Sequence, residues 1–313
     1  MKKQQPSKSK YVKYVVLAIV AIVVIIGVIP TIGNSNNNPL PQTNDSKVIE
    51  WRHVHGVGID PADHSTLYIA THGDFYKSIS GGPPVKVDKA RADYMAFNAP
   101  PIPGVPLYSS GHPSSGGNTG LIKSSDGGAT WQQVATILDP PVDFHVMAIS
   151  KSDPNIIIGF DSGGRGLFKT ADAGKTWENL EYPEYISALA ISPSDSQSIF
   201  AGTGNGIFKS SDGGKTWANL KTYNGLLVHA LAFDDENSLF ASVETFGLVK
   251  SNDLGESWED LQDIDLTVTS ISPDSQNKAI YVAGYSSGGF QEVYKLPYDV
   301  ESYEIIGTNK GLE

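Results

Sequence analysis

The chain has 313 residues, of which 32 are glycine, 19 are proline and none is cysteine. The lack of cysteine excludes disulfide bonds, thiolate metal sites and cysteine nucleophiles. The formal net charge is −11, and residues 45–313 carry 18 basic and 34 acidic side chains, a net −16 that opposes binding to nucleic acid or anionic lipid.

The N-terminal residues have the pattern of a membrane anchor. Residues 1–13 carry five lysines and no acid, and an uncharged run of 19 residues follows at 14–32. As a helix this run would span roughly 28 Å, close to the thickness of the hydrocarbon core of a bilayer. It offers no small-x-small cleavage site. The sequence therefore predicts that residues 1–13 form a cytoplasmic basic tail and that residues 14–32 form an uncleaved, single-pass transmembrane signal anchor. A cleaved signal peptide is the alternative. Residues 33–46 predict a flexible linker, and residues 47–313 are expected outside the cell.

A nine-residue motif occurs four times in the rest of the chain. It begins with Lys, continues as Ser/Thr-x-Asp-x-Gly-x-Ser/Thr and ends with Trp. Its aspartates and tryptophans are Asp126, Trp131, Asp172, Trp177, Asp212, Trp217, Asp253 and Trp258. The aspartate can accept hydrogen bonds from backbone N–H groups of a tight turn, and the glycine two residues later permits a positive φ. We expect the tryptophan to pack between neighbouring sheets.

Each copy of the motif follows alternating apolar segments, so one unit predicts four short strands joined by turns. Two further units keep this spacing but lose the motif; they begin at Lys77 and Lys295, and the second has Tyr303 at the tryptophan position. Repeats of about 40–50 residues match the blades of a β-propeller. The sequence therefore predicts an all-β fold, a β-propeller of six four-stranded blades preceded by one transmembrane helix.

The fourfold motif resembles the BNR or Asp-box repeat, Ser-x-Asp-x-Gly-x-Thr-Trp, of sialidases, sortilin-type receptors and photosystem II assembly factors. This resemblance implies that the motif is structural, joins the third and fourth strands of a blade, and lies on the face opposite the binding surface. The segments His53-Val-His55-Gly and Ala70-Thr71-His72-Gly73 are similar to those of bacterial surface propellers catalogued as glycosyl hydrolases.

Five of the seven histidines fall at two positions that recur from unit to unit, and the resemblance implies that both positions lie at the binding face. The first position lies four residues before the end of each predicted first strand and holds His55, Asp93, His145, Ser187, His229 and Thr267. The second position follows the apolar part of each predicted second strand and holds His72, His112, Ser162, Gly204, Glu244 and Tyr285.

Neutral imidazoles and a carboxylate can bind a divalent transition metal such as zinc, and they can also hydrogen-bond to a polar ligand. The sequence predicts one ligand or metal ion at the mouth of the central channel, held by His55, His145, His229 and Asp93. The wider predicted binding set adds His72, His112 and Arg165. The alternative is that these polar side chains line a wet channel and bind only water.

Two classes of function stay open at this point. One is a monomeric, membrane-anchored surface module that binds an extracellular glycan or protein and has no nucleic-acid partner. The other is a hydrolase, either a glycosidase or a metal-assisted enzyme, and its candidate catalytic carboxylates are Asp93, Asp161 and Glu244. A sialidase-like site would need three arginines to clamp a carboxylate, and the chain has three, Arg52, Arg91 and Arg165. All three map to the predicted binding face, so a clamp is geometrically open. The early Arg-Ile-Pro motif of sialidases is missing.

Overall fold

The computed structural model describes residues 49–261, 264–298 and 302–309. These residues form 24 strands in six sheets of four strands each, which confirms the predicted all-β propeller with six four-stranded blades. The predicted anchor at 14–32 and linker at 33–46 lie outside the described residues. Within the described part of the chain, no helix has the length and apolar character needed to cross a membrane.

Each blade is one continuous stretch of chain. Blade one contains β1 (Val54–Ile59), β2 (Thr66–Thr71), β3 (Phe75–Ile79) and β4 (Val85–Lys86). Blade two contains β5 (Ala92–Asn98), β6 (Leu107–Pro113), β7 (Leu121–Ser124) and β8 (Gln132–Ala135). Blade three contains β9 (Phe144–Ile149), β10 (Ile157–Asp161), β11 (Leu167–Thr170) and β12 (Glu178–Leu180).

The second half of the ring repeats this arrangement. Blade four contains β13 (Ile186–Ile191), β14 (Ile199–Thr203), β15 (Gly206–Ser210) and β16 (Ala218–Asn219). Blade five contains β17 (Val228–Phe233), β18 (Leu239–Val243), β19 (Gly247–Ser251) and β20 (Glu259–Asp260). Blade six contains β21 (Thr267–Asp274), β22 (Ala279–Tyr285), β23 (Gln291–Pro297) and β24 (Glu304–Thr308).

Within every blade the strands pair antiparallel in sequence order, and the first strand is the innermost. The first strands contact one another around the ring, and β21 of blade six contacts β1 of blade one. Six apolar core clusters stabilise the ring, each formed between two neighbouring blades. Because successive side chains of a strand point to opposite faces of its sheet, each blade contributes to two of these clusters.

The four motif turns share one set of hydrogen bonds made by their aspartate and by the Ser or Thr two residues before it. In the first copy, Asp126 Oδ1 accepts a bond from the backbone N–H of Thr130 (2.9 Å), and Asp126 Oδ2 accepts one from the Thr130 hydroxyl (2.6 Å). The Ser124 hydroxyl accepts a bond from the backbone N–H of Gly128 (2.9 Å). Gly128 has a φ of +88°, and a Cβ there would lie 2.2 Å from the ring of Phe75 in the preceding blade. The turn therefore requires glycine both for its backbone conformation and for the packing of two blades.

The turn bonds recur at Asp172, Asp212 and Asp253, and each motif turn joins the third strand of a blade to its fourth. The turns between first and second strands lie at the same end of the blades, because neighbouring strands run antiparallel. The opposite end of the propeller carries the starts of the first strands and the loops between second and third strands. Both histidine-rich positions of the sequence belong to this second end.

Blades one and six are joined by side-chain packing and by hydrogen bonds, and no sheet among the described residues contains strands of both blades. We call this junction the seam. Trp51, which precedes β1, is only 2% exposed and packs in the core cluster between the two blades. Its indole N–H donates to the carbonyl oxygen of Gln291 (3.3 Å), and the Val54 N–H donates to the Gln291 side-chain oxygen (2.8 Å). The Ile49 N–H also donates to the carbonyl oxygen of Thr308 (2.9 Å).

Candidate ligand and metal site

β-Bulges direct several of the predicted side chains into the channel. The register of the first two strands shifts at His55 in blade one, at His145 in blade three, at Ser187 in blade four and at His229 in blade five. A bulge inserts one extra residue into a strand and changes the direction of its side chain. All four of these residues line the central cavity, which has a volume of about 220 Å³. Asp93 pairs regularly with His112 and does not line this cavity.

The first cluster consists of His55, His72 and Asp93, whose potential ligand atoms all lie within 4.8 Å of one another. His55 reaches it from the channel wall, His72 from the end of β2, and Asp93 from β5 of the next blade. His72 Nδ1 and Asp93 Oδ2 are 2.9 Å apart. His72 is half exposed, so the cluster is open to solvent on one side.

His55 is a partly buried member of the first cluster. Its Nε2 atom is buried and has no hydrogen-bond partner among the described residues. Burial, and to a lesser extent repulsion from the neighbouring histidines, lowers the pKa of His55 to about 3. The ring is therefore neutral at pH 7, which is the form of histidine that can bind a metal ion.

His53 and Tyr285 flank the first cluster. The rings of His53 and His55 lie 4.5 Å apart, and His53 Nε2 is 2.7 Å from the hydroxyl oxygen of Tyr285. Burial, with a smaller contribution from His72, lowers the pKa of His53. His53 therefore already has a partner for Nε2 and supports the ring of His55 from one side.

The second cluster consists of His112, Asp143 and His145, again with potential ligand atoms within 4.8 Å of one another. Asp143 Oδ2 lies 2.9 Å from His145 Nε2 and 3.4 Å from His112 Nε2. Its other oxygen, Oδ1, is buried and has no hydrogen-bond partner in the described part of the chain. Burial would raise the pKa of Asp143, but hydrogen bonds from His145 and from Ser162 outweigh it and hold this pKa below its ordinary value. Asp143 is therefore ionised at neutral pH.

Arg165 and Asp161 hold the second cluster in position. The Arg165 guanidinium donates to both carboxylate oxygens of Asp161, at 3.0 and 2.7 Å, and to the carbonyl oxygens of Pro140 and Pro141. Asp161 Oδ1 also accepts the backbone N–H of Asp143 (2.9 Å). Burial would raise the pKa of Asp161, but these bonds hold it below its ordinary value. The structure gives both residues a positioning role next to Asp143.

The structure divides the predicted metal quartet. His55 and Asp93 belong to the first cluster and His145 to the second, whereas His229 belongs to neither of the two donor groups found in the described residues. Burial lowers the pKa of His229, and the nearby charge of Glu244 partly opposes this. Each cluster forms between two neighbouring blades, the first between blades one and two and the second between blades two and three. The four predicted ligands therefore do not form one donor group, and a single ion shared by all four stays a prediction from the sequence.

Asp143 was missing from the predicted ligand set, although the sequence contained a signal for it. Asp143 precedes His145 by two residues, as His53 precedes His55, and side chains two apart on a strand lie on the same face. The bulge at His145 and the contact of His112 from the neighbouring blade could not be read from this spacing.

The remaining predicted site residues either lie apart from the clusters or are already engaged in ion pairs and hydrogen bonds. Asp161 is fully buried and ion-paired, which removes it as a free acid or base, whereas Glu244 is exposed at the end of β18. Arg165 is taken up by Asp161 and two carbonyl oxygens, so it cannot join Arg52 and Arg91 in a sialidase-like carboxylate clamp.

The fold is shared with propellers of different activities. The GH74 enzyme from Niastella koreensis is similar with a TM-score of 0.60 at 18% identity, over 83% of this chain and 46% of that one. The GH74 xyloglucanase from Xanthomonas campestris gives a TM-score of 0.56 at 15% identity, over 81% and 45% of the two chains. A gluconolactonase from Xanthomonas campestris gives 0.59 at 14% identity, over 76% and 84%.

This chain therefore spans less than half the length of the two GH74 enzymes. At these low identities, the structural similarity shows a common propeller fold alone. The sequence matches no protein-family profile and no curated protein.

Proposed function

We propose that this protein is a ligand-binding propeller that holds a divalent transition metal at the histidine-rich mouth of its channel. The observation that carries the proposal is the buried, unpartnered Nε2 atom of His55 beside His72 and Asp93. A buried polar atom without a partner costs free energy, and a metal ion would satisfy it. Two imidazoles and one carboxylate are a common ligand set for zinc and related ions, and they leave a coordination position open.

We further propose that the propeller lies outside the cell and is held there by a membrane anchor. The lysine-rich tail and the uncharged run at 14–32 support a single-pass anchor with the propeller outside the cell, and the four motif turns support membership of the Asp-box group. An open coordination position at a cell-surface propeller would take a polar group of an extracellular glycan or protein. Mass spectrometry of membrane-extracted protein should detect the N-terminal segment; a mature form that starts near Gly33 would contradict the anchor.

A hydrolase is the second candidate function. A metal with three protein ligands can activate a water molecule in its open position, and this observation favours metal-assisted hydrolysis over a mechanism with two carboxylates. For the two-carboxylate glycosidase, Asp93 and Glu244 remain as candidates, because Asp161 is ion-paired. A screen of the metal-loaded protein on chromogenic glycosides, esters and lactones tests this candidate. Turnover that survives chelation and His55→Ala would indicate a carboxylate mechanism.

The metal proposal is tested by titrating zinc, cobalt, nickel and copper into the metal-free, full-length protein in detergent while its melting temperature is measured. An ion at about 100 times its Kd stabilises the folded state by about 2.7 kcal/mol. At about 2–4 °C per kcal/mol, this raises the melting temperature of a domain of this size by about 5–10 °C. We expect this shift in the wild type and its loss in His55→Ala.

His229→Ala is the matched control, because His229 occupies the equivalent bulge in blade five and belongs to neither cluster. It should keep the full metal-induced shift. If no ion shifts the melting temperature of the wild type, the metal proposal fails. A shift that disappears in His229→Ala would instead restore the single quartet expected from the sequence.

A further inference from the structure

We propose that the propeller binds two divalent ions side by side, one in each cluster, and that the pair takes an oxyanion ligand across the channel mouth. This inference rests on the proposed function for the first ion and adds a second ion and the chemical class of the ligand.

The two clusters have the same composition. Each offers two histidines and one carboxylate, and each contains one buried polar atom without a hydrogen-bond partner among the described residues: Nε2 of His55 in the first and Oδ1 of Asp143 in the second. These are two of the three such side-chain atoms in the described part of the chain. Each cluster also combines one histidine of the channel wall with donors from the rim. An ion would therefore satisfy a buried, unpartnered atom in either cluster.

The two clusters are neighbours on one sheet. Asp93 of the first cluster and His112 of the second are direct partners in the antiparallel pair β5–β6. Directly opposite residues have Cβ atoms about 4.5–5.5 Å apart and point to the same face. The His112 ring turns away from Asp93: its Nδ1 lies 3.1 Å from the carbonyl oxygen of Gly117 and its Nε2 faces Asp143. Blade two therefore supplies one ligand to each ion, which makes two adjacent sites rather than one shared site.

The charges favour an anionic ligand. One carboxylate and two neutral imidazoles leave each divalent ion with a net charge of about +1, so two ions create a positive patch on a strongly acidic domain. Arg91 adds a cation at the rim: its side chain is 65% exposed, and its Nη2 lies 3.0 Å from the position that a Cβ on Gly73 would occupy. Gly73 follows His72 directly. An oxyanion, carried by a phosphate or a carboxylate, can bridge two ions through its oxygens.

The number of sites is tested by loading the whole chain with zinc, dialysing it and counting the bound ions. The count is made by inductively coupled plasma mass spectrometry. We expect two ions in the wild type and in His229→Ala, one in His72→Ala, one in His112→Ala and none in the double variant His72→Ala/His112→Ala. A single ion in the wild type that is lost in either single variant would overturn the two-ion site and leave the proposed function standing. No ion in the wild type would remove both.

Calorimetric titration of the dialysed, zinc-loaded protein tests the ligand class, with inorganic phosphate and acetate as separate probes. We expect at least one probe to bind the wild type, with affinity at least tenfold weaker in each single-cluster variant and several-fold weaker in Arg91→Ala. The probe that binds more tightly identifies the oxyanion. The bridging ligand would be overturned if the affinity is unchanged in both His72→Ala and His112→Ala, or if neither probe binds. This holds even if two ions are counted.

Discussion

Each motif aspartate is a partly or fully exposed side chain that contributes to folding through its turn. Asp212 accepts bonds from the backbone N–H groups of Lys215 and Thr216 and from the hydroxyls of Ser210 and Thr216. These bonds, that of the Thr216 hydroxyl first, lower the pKa of Asp212 to about 2. Hydrogen bonds that favour the ionised form lower a carboxyl pKa even without burial. The equivalent aspartates Asp126, Asp172 and Asp253 also have a pKa of about 2.

The pH dependence of stability follows from this shift. Because the folded-state pKa lies below the ordinary value of 3.8, each turn stabilises the fold fully above pH 4 and loses its contribution as the pH falls toward 2. We expect Asp212→Asn to be less stable than the wild type at pH 7, and the difference in urea midpoint should shrink between pH 4 and pH 2. A difference that stays constant over this range would show that the charge of Asp212 does not support the turn.

At the scale of strands and loops, Arg165 connects the loop after β10 to the segment before β9. Its partner Asp161 is buried, so breaking the pair leaves a buried charge with fewer hydrogen bonds. We expect Arg165→Gln to lower the free energy of unfolding by about 2–3 kcal/mol, somewhat less than for a fully buried pair because Arg165 is partly exposed. The double variant Arg165→Gln/Asp161→Asn should lose less than the sum of the two single variants. Additive losses in chemical denaturation would contradict this coupling.

The strands also show how far the sequence could predict the fold and the site. The ends of the first strands, at Ile59, Ile149 and Ile191 among others, follow directly from the repeat, because apolar alternation and turn residues are local properties. The two clusters, by contrast, are formed by residues far apart in the sequence. His145 is directed by a bulge, and Asp93 lies in regular pairing although both occupy the same repeat position. Which donors meet thus depends on bulges and on contacts between blades, and spacing alone does not encode them.

At the scale of the whole molecule, ring closure depends on the seam. A Cβ on Gly307 would lie 2.4 Å from the Trp51 ring, which shows how closely blade six approaches this side chain. We expect Trp51→Ala to cost about 3–5 kcal/mol by leaving a cavity between the blades. The measurement is denaturant unfolding together with limited proteolysis, in which cleavage should begin near residues 49–53. Stability equal to the wild type would mean that the ring closes without this side chain.

The seam also sets an order of events during protein synthesis. Every blade is continuous in sequence, so each can form as soon as its own residues leave the ribosome. Trp51 is different, because its hydrogen-bond acceptor at Gln291 is 240 residues further along the chain. At about 5–20 residues per second this acceptor follows roughly 10–50 s later. The face of the first blade that carries Trp51 therefore lacks its partners from blade six for most of translation. During that interval a nascent chain is open to pairing with another copy or to capture by a chaperone.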